Sequence, residues 1–286
     1  MTSCLDWKTA LSSKQIDPES LQRMKKCGIS AIEYGIAAKE VIADWKIVVP
    51  IPWQMLRENT DAAGIERWSC HLPFSADIDI SLADERARKA TLDLHKEIIS
   101  GAAGIGISRF VLHPSSEPIS DEERSLRMEM AKCSLCELAD YAATLGAVIC
   151  VEDLPRSCLG HTAEEMLELL SADERLRVCF DVNHLLTVYG TTHEEFVEKL
   201  GHKIITTHMS DYDFVDEKHF FPGMGMLNWK MVIEALEQAD YAGPFLYEGG
   251  FAPSLRAPEV PFGTWEEARE RHLHIKELTG KNYNGK

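Results

Sequence analysis

The chain has 286 residues, 45% of them hydrophobic, which is enough to bury a large core in one or two domains. Its 46 acidic residues outnumber 30 basic residues and give a formal net charge of −16. This charge argues against a surface that generally binds nucleic acid or anionic membranes, because basic patches recruit both. No apolar run has the length to span a bilayer, and the first residues lack the organisation of a signal peptide. We therefore expect a cytoplasmic protein whose eight cysteines are reduced.

Short apolar runs alternate with longer amphipathic segments along the chain. The apolar runs have the length of buried strands, and the amphipathic segments have the pattern of helices. The predicted strands are, in chain order, Thr2–Leu5, Ser30–Glu33, Trp68–His71, Arg109–His113, Ala147–Glu152, Arg177–Asp181, Ile204–His208 and Pro244–Glu248.

Capping residues mark the predicted helices. An Asp-Pro-Glu sequence at 17–19 supplies a cap, a first-turn proline and a first-turn acid, and Gly28 ends that helix. Ser81 and Asp84 have a spacing like that of a capping box, before a long helix that runs to about Ser100. Further helices are predicted to begin near Ser120, Thr162, Thr192, Asn228 and Thr264.

Eight strands separated by helices predict an α/β fold with a parallel sheet closed into a (β/α)8 TIM barrel. No low-complexity linker or long block of like charges divides the chain, so we expect a single domain over residues 1–286. Residues 37–64 fit the alternation least well, because Pro50 and Pro52 interrupt the pattern. We expect an irregular excursion there.

Nearly every predicted strand ends in a residue that can bind a metal or move a proton. In such a barrel the carboxyl ends of the strands lie on one rim, and that rim carries the active site. Any one of these residues could be a helix cap or a buried structural side chain, and for Asp153 and Asp211 that explanation is at least as good. Together they indicate one shared site, composed of Glu33, His71, His113, Glu152, Asp181, His184, His208 and Glu248.

Four of these residues form a plausible ligand set for a metal. Glu152, Asp181, His208 and Glu248 follow four consecutive strands and offer three carboxylates and one imidazole. Such a set suits Mn²⁺, Mg²⁺, Co²⁺ or Zn²⁺, with positions left open for substrate oxygens. No thiolate is placed to contribute, which weighs against a structural zinc. A divalent cation would also offset the cost of burying Glu152 at the end of an apolar strand.

Arg156 lies four residues after Glu152, in the loop that follows the same strand. Two interpretations are open. It can form a salt bridge with a first-turn acid such as Glu164, or it can contact a phosphate or carboxylate of a substrate.

The most specific stretches of the chain resemble the xylose isomerase-like barrel superfamily, which groups sugar isomerases and epimerases with the endonuclease IV family. The resemblance extends from about residue 28 to residue 250. It is carried, in order and between the appropriate strands, by VEDLPRS, CFDVNHLL, THMSDYD, HFFPGMGMLNW and FLYEGG.

The resemblance to the epimerase branch implies a function. Glu152, Asp181, His208 and Glu248 match metal ligands, and the two glutamates match an acid and a base on opposite faces of the substrate. The implied activity is that of a divalent-metal-dependent isomerase or epimerase of a small sugar or sugar-related substrate, with proton transfer through a metal-bound enediolate. Expected contacts with the substrate are His71, His113, Arg156, His184, His219 and Glu33, the last of which can instead support a ligand.

Two alternatives remain within the resemblance. A dehydratase acting on a keto-inositol-like substrate would use the same intermediate. A multi-zinc phosphodiester hydrolase of the endonuclease IV type would use additional histidines, which the chain has, although Glu217 stands where that branch has an aspartate. The acidic charge argues against that hydrolase, since gripping several DNA phosphates needs Lys and Arg. A non-enzymatic sugar-binding barrel is less consistent with an intact ligand set.

We expect the protein to bind a small sugar-like molecule and neither nucleic acid nor a membrane, and we leave open whether it forms a homo-oligomer.

Overall fold

The computed structural model describes residues 3–36, 38–185, 191–249 and Glu270. Within these residues, eight parallel strands form one sheet and two short strands form a separate antiparallel hairpin. The strands are, in chain order, β1 Thr9–Ser13, β2 Ala31–Gly35, β3 Ile42–Ala43, β4 Lys46–Ile47, β5 Glu66–His71, β6 Arg109–Leu112, β7 Val148–Glu152, β8 Arg177–Asp181, β9 Ile204–His208 and β10 Phe245–Tyr247.

The large sheet has the order β10-β1-β2-β5-β6-β7-β8-β9. Its two edges meet just beyond β9, where Met209 N donates to Leu246 O at 2.8 Å and Glu248 N donates to Met209 O at 3.3 Å. The sheet therefore closes on itself, and the prediction of a (β/α)8 TIM barrel is confirmed.

Helices connect the strands around the outside of the barrel. The described helices are α1 Pro18–Lys26, α2 Ala38–Val41, α3 Trp53–Ala63, α4 Glu85–Ala103, α5 Asp121–Thr144, α6 Ala163–Leu170, α7 His193–Leu200 and α8 Trp229–Gln238. None of these helices has the length and apolar character that crossing a membrane requires.

The predicted helix starts agree well with the structure. Ser120, Thr162 and Thr192 each cap a helix by accepting a hydrogen bond from the backbone three residues later. Asn228 does the same for α8. These short polar side chains satisfy amide groups that the first turn of a helix leaves unpaired. The helix predicted near Thr264 lies outside the described residues.

Two boundary predictions were wrong. The first strand is Thr9–Ser13, and the end of the predicted Thr2–Leu5 strand belongs instead to a 3-10 helix, Cys4–Asp6. The segment TALSS has a weak apolar pattern, and it is a strand because β10 and β2 pair with it on both sides. The cap of α4 is Asp84, whereas Ser81 instead donates to Asp79.

The expected excursion over residues 37–64 is only partly irregular. It contains α2 and the β3–β4 hairpin, but its second half is α3, an ordinary helix of the barrel. Pro52 immediately precedes that helix and does not break it. A proline at a helix start costs nothing, because the first amides have no partner within the helix.

A separate apolar cluster of the large sheet combines one large ring with three smaller side chains. Ala10, Ala31 and Leu246 pack against Trp68. The indole Nε1 of Trp68 donates to Thr206 Oγ1 at 3.1 Å, so the polar atom of this buried ring is satisfied. The polar side chains described below lie further along these strands, at their carboxyl ends.

Candidate active site

The four predicted metal ligands meet at one point of the rim. Glu152, Asp181 and His208 are the last residues of β7, β8 and β9, and Glu248 directly follows β10. His208 Nδ1 lies 3.0 Å from Glu152 Oε1, 3.0 Å from Glu248 Oε2 and 3.7 Å from Asp181 Oδ2. One ligand atom from each residue falls within 4.8 Å of the others. We call these four residues the first ligand group.

Two carboxylate oxygens of the first ligand group lack a hydrogen-bond partner among the residues that the structure describes. They are Asp181 Oδ2 and Glu248 Oε2, both buried. Glu248 Oε2 is close to His208 Nδ1, but this nitrogen makes its hydrogen bond to Glu152 Oε1. Unpaired buried carboxylate oxygens are costly unless a cation satisfies them. Three carboxylates and one imidazole fit a divalent cation such as Mn²⁺, Mg²⁺, Co²⁺ or Zn²⁺.

The second carboxylate oxygen of Glu152 faces a different set of side chains. Glu152 Oε2 lies 3.1 Å from His71 Nε2 and 3.2 Å from His113 Nε2. These three residues, the second ligand group, again bring three ligand atoms within 4.8 Å. Phe74 stacks on the His113 ring with the centroids 3.6 Å apart. Glu152 thus belongs to two ligand groups and bridges them.

A third ligand group lies beside the first and consists of His184, Glu217 and His219. Glu217 Oε1 is 2.8 Å from His219 Nε2 and 3.7 Å from His184 Nε2. The longer side chain of glutamate, in place of the aspartate expected in the endonuclease IV branch, therefore still reaches both histidines.

Arg156 is engaged by three carboxylates. It contacts both oxygens of Glu117, with distances of 2.7–3.0 Å, Asp216 Oδ1 at 2.9 Å and Glu217 Oε2 at 3.0 Å. The predicted partner Glu164 is wrong, because Glu164 lies at the start of α6 and pairs with Lys199 of α7. Arg156 instead ties together three loops of the rim and holds one oxygen of Glu217.

Glu33 supports His208 from below. Both side chains are completely buried. Glu33 Oε1 accepts a hydrogen bond from His208 Nε2 at 2.9 Å, and its Oε2 accepts one from Ser69 Oγ at 2.8 Å. Of the two roles predicted for Glu33, this placement favours support of a ligand over contact with a substrate. Ser69 was not anticipated from the sequence.

Two neighbouring aspartates have local structural roles, as the sequence allowed. Asp153 Oδ1 accepts from Asp181 N at 2.8 Å, and burial raises the pKa of Asp153 well above its usual value. Asp211 accepts from two backbone amides of the following loop and from Trp229 Nε1 at 2.8 Å. A Cβ at Gly225 would lie 2.3 Å from Asp211 Oδ1, so this close approach explains one glycine of the HFFPGMG segment.

The electrostatics of the site favour protonation of most of its imidazoles, whereas burial lowers the pKa of His113. Burial opposes charging of His71, but Glu152 and Glu33 outweigh it and raise its pKa to about 9. Burial likewise opposes charging of His219, and the hydrogen bond to Glu217 leads the contributions that raise its pKa to about 9. Burial would raise the pKa of Glu152, yet the charges of His208 and His113 hold it well below its usual value. A divalent cation would take the place of protons among these groups.

A cavity of about 500 Å³ opens over the barrel mouth. Its wall includes His71 and Glu248, so it reaches the second and first ligand groups. This volume is in the range of pockets that hold small molecules. The lining residues are Ser12, Lys14, Gly35, Ile36, Ala38, Lys39, Glu40, His71, Leu72, Pro73, Phe74 and Glu248.

Comparisons by sequence bear on this site. The profile of the xylose isomerase-like TIM barrel family matches residues 21–276. An uncharacterised protein of Methanocaldococcus jannaschii is 31% identical over 249 residues, which are 84% of this chain and 82% of that protein. A probable endonuclease 4 of Citrifermentans bemidjiense is 24% identical over 185 residues, which cover 58% of this chain and 62% of that protein.

Solved structures resemble the whole barrel. A D-tagatose 3-epimerase-like protein superposes with a TM-score of 0.77 at 25% identity, covering 96% of this chain and 98% of that one. A D-psicose 3-epimerase of Clostridium cellulolyticum H10, solved with D-tagatose, superposes with a TM-score of 0.76. Its identity is 16%, with 95% of this chain and 99% of that chain covered, so this second likeness is one of fold.

Proposed function

The chain belongs to the xylose isomerase-like TIM barrel family, and from that premise we propose that it is a divalent-metal-dependent epimerase or isomerase of a small sugar or sugar-related substrate. One observation carries the proposal. The carboxylates of Glu152 and Glu248 each lie 3.0 Å from the same nitrogen, His208 Nδ1, and Glu248 lines the cavity. Two carboxylates around one point of a small-molecule cavity suit the removal and return of a proton.

The position of each residue suggests its role in the reaction. A divalent cation held by the first ligand group would polarise a substrate carbonyl and acidify the proton on the neighbouring carbon. Glu248, the more accessible of the two glutamates, would take or return that proton from the cavity side. Glu152 would act from the floor of the cavity, where His71, His113 and His208 surround its carboxylate. His184 would bind the substrate oxygens, as its place beside Asp181 allows.

Charge and cavity size support a small substrate. The chain carries a formal charge of −16, and a nucleic-acid backbone would be repelled by such a surface. Arg156, a cation of the rim, is already bound to carboxylates. We propose the cytoplasm as its compartment, because the part of the chain that the structure describes contains no disulfide, as is usual in a reducing compartment.

Deuterium incorporation tests the proposal. Protein loaded with Mn²⁺, Co²⁺ or Zn²⁺ is incubated in D₂O with a panel of ketoses, keto-acids and inosose-like compounds. We expect exchange at the carbon next to the carbonyl of at least one compound, with loss of exchange in Glu152→Gln and Glu248→Gln. Glu168→Gln, an exposed position on α6, is the matched control and should exchange like the unchanged protein. Full exchange in either active-site variant would reject the two-glutamate mechanism.

The product of that reaction separates close variants. Exchange with formation of an epimer or isomer supports the proposed activity. Exchange followed by loss of water from a keto-inositol-like compound identifies a dehydratase, which shares the first proton transfer.

A second candidate function has its own supporting observation. The three ligand groups adjoin one another, and Glu152 bridges two of them. Such an arrangement would suit a multi-zinc phosphodiester hydrolase, in which several cations share the charge of a phosphate. Metal analysis of the as-purified protein distinguishes the candidates. One ion per chain fits the epimerase, whereas two or three ions with cleavage of an abasic DNA duplex fit the hydrolase.

A further inference from the structure

Two lysines lie on one wall of the cavity, away from the ligand groups in sequence. Lys14 directly follows β1 and Lys39 lies in α2, which follows β2. The strands β1 and β2 are neighbours, and Ser13 is paired with Tyr34, so the two loops leave the barrel side by side. The topology therefore brings two ammonium groups to the same part of the mouth.

The stem of Lys14 is fitted to this wall. A Cβ at Gly35 would lie 3.6 Å from Lys14 Cε and 3.7 Å from Lys14 Cγ. The aliphatic part of the side chain thus extends across the end of β2, over a glycine that also lines the cavity. Packing a long stem against apolar or backbone surface while the charged end stays in water is characteristic of lysine.

Within the part of the chain that the structure describes, neither lysine forms a hydrogen bond or an ion pair. Other lysines differ: Lys8, Lys96 and Lys199 each contact a carboxylate. Glu40, the carboxylate beside them on this wall, forms no ion pair with either lysine among the described residues.

We propose that Lys14 and Lys39 bind an anionic group of the substrate, either a phosphate or a carboxylate, at the end remote from the carbon that loses its proton. This inference rests on the proposed function and names its substrate class: a phosphorylated sugar or a sugar acid. Two ammonium groups can share the oxygens of such an anion through charge-assisted hydrogen bonds. The Ser12 hydroxyl, on the same wall, can donate a further one.

Binding of the anionic group by the two lysines would also orient the substrate. His71 and Glu248 lie on the same cavity, so a substrate bridging lysines and ligand groups would be held at both ends. Fixing the remote end aligns the reacting carbon with the glutamates and lowers the entropy lost in the reaction itself. A neutral sugar would lack this anchor.

Binding is measured on the Glu248→Gln protein, so that no turnover interferes. The probes are D-fructose, D-fructose 6-phosphate and D-tagaturonate, which present no anion, a phosphate and a carboxylate on similar carbon chains. We expect one charged probe to bind at least tenfold more tightly than D-fructose, and the stronger of the two identifies the anion. Lys14→Gln and Lys39→Gln, each placed in this background, should reduce that preference by about tenfold.

Matched variants separate charge from shape. Lys46→Gln removes an exposed lysine of the β3–β4 hairpin that does not line the cavity, and it should leave the preference unchanged. Lys14→Arg keeps the charge and should retain most of the preference. Raising the salt concentration should weaken binding of the charged probe, because exposed charges are screened.

The results distinguish failure of this inference from failure of the proposed function. Equal binding of all three probes, or a preference that survives the double change Lys14→Gln with Lys39→Gln, would overturn the anion site, even if the protein exchanges deuterium with neutral ketoses. Lysine-dependent binding of a charged probe establishes the site, even if deuterium exchange with every compound is absent and the epimerase proposal fails.

Discussion

The Nε2 atom of His208 donates a hydrogen bond to Glu33 Oε1 at 2.9 Å, and neither side chain has any exposed surface. An ionised carboxylate only accepts, so Nε2 carries a proton in this bond, and Nδ1 carries another in its bond to Glu152 Oε1. A cation in the first ligand group would displace the Nδ1 proton and leave the Nε2 proton in its bond to Glu33. Glu33 therefore fixes both the orientation and the tautomer of the single imidazole among the four ligands.

Replacement of Glu33 should weaken metal binding without removing a ligand. Glu33→Gln keeps an acceptor but loses the charge, and we expect the affinity for Mn²⁺ or Zn²⁺ to fall about tenfold; Glu33→Leu also loses the hydrogen bond, and we expect about a hundredfold loss. Competition with a chromogenic chelator measures both. Ser69→Ala, which removes the other partner of Glu33, is the control and should have a smaller effect. Unchanged affinity in Glu33→Leu would show that the pair is only structural.

The rim residues could be predicted because the carboxyl ends of all strands in such a barrel lie on the same rim. Once eight strands were recognised, Glu152, Asp181 and His208 had to lie on one rim, and the structure places them within reach of one another. What the strand pattern could not give is which oxygen of Glu152 faces which histidines, since this depends on side-chain rotamers.

Features of the loops escaped prediction for a physical reason. The partners of Arg156 are Glu117, Asp216 and Glu217, which are distant in sequence and come together through loop conformation. The strand β1 was misplaced because its pairing with two neighbours, and not its composition, makes it a strand. In both cases tertiary contacts decide the outcome, and local pattern carries little of that information.

Metal affinity should rise with pH between about 7 and 9. The pKa values of His71 and His219 are raised to about 9 in the metal-free chain, so both rings are protonated at pH 7. They face Glu152 and Glu248, and a cation bound to these carboxylates would drive off the ring protons. Calorimetric titrations with Zn²⁺ in two buffers of different ionisation enthalpy count the protons released. We expect at least one proton per chain at pH 7 and progressively fewer above pH 9. Binding without proton release would contradict these protonation states.

The same groups predict an opposite trend for the metal-free fold. A histidine whose pKa is higher in the folded chain than in the unfolded chain stabilises the folded state. This contribution is complete below the unfolded-chain pKa of 6.5, and it is lost as the pH rises through the folded-chain pKa of about 9. The melting temperature of the metal-free protein should therefore fall between pH 7 and pH 9. Thermal unfolding followed by circular dichroism in the presence of EDTA measures it, and a rising melting temperature over this range would contradict the assignment.

Arg156→Gln should loosen the third ligand group. The change removes the contacts with Glu117 and frees the Glu217 oxygen that Arg156 holds. Because the network is partly exposed, we expect a loss of only about 1 kcal/mol in the free energy of unfolding. We also expect weaker binding of any metal beyond the first. Arg175→Gln is the matched control, since Arg175 also contacts two carboxylates but lies before the start of β8, away from the rim.

Chemical denaturation and metal analysis by mass spectrometry of the dialysed protein test this pair. A loss of stability without any change in metal content would mean that Arg156 only ties loops together. Equal effects of the two variants on metal content would contradict a specific role for Arg156.

His71→Ala provides a direct test of how many metal ions the site uses. His71 contacts Glu152 Oε2, whereas the first ligand group uses the Oε1 side of the same carboxylate. If the active protein holds one ion in the first ligand group, the variant should keep that ion and lose less than about tenfold in exchange rate, in line with the loss of a residue behind a ligand. If activity requires an ion in the second ligand group, the variant should lose one ion per chain and essentially all activity.

His202→Ala, at an exposed position away from the rim, controls for the loss of an imidazole. Metal content and activity measured on the same samples decide between the epimerase and the hydrolase, because only the hydrolase needs both groups filled.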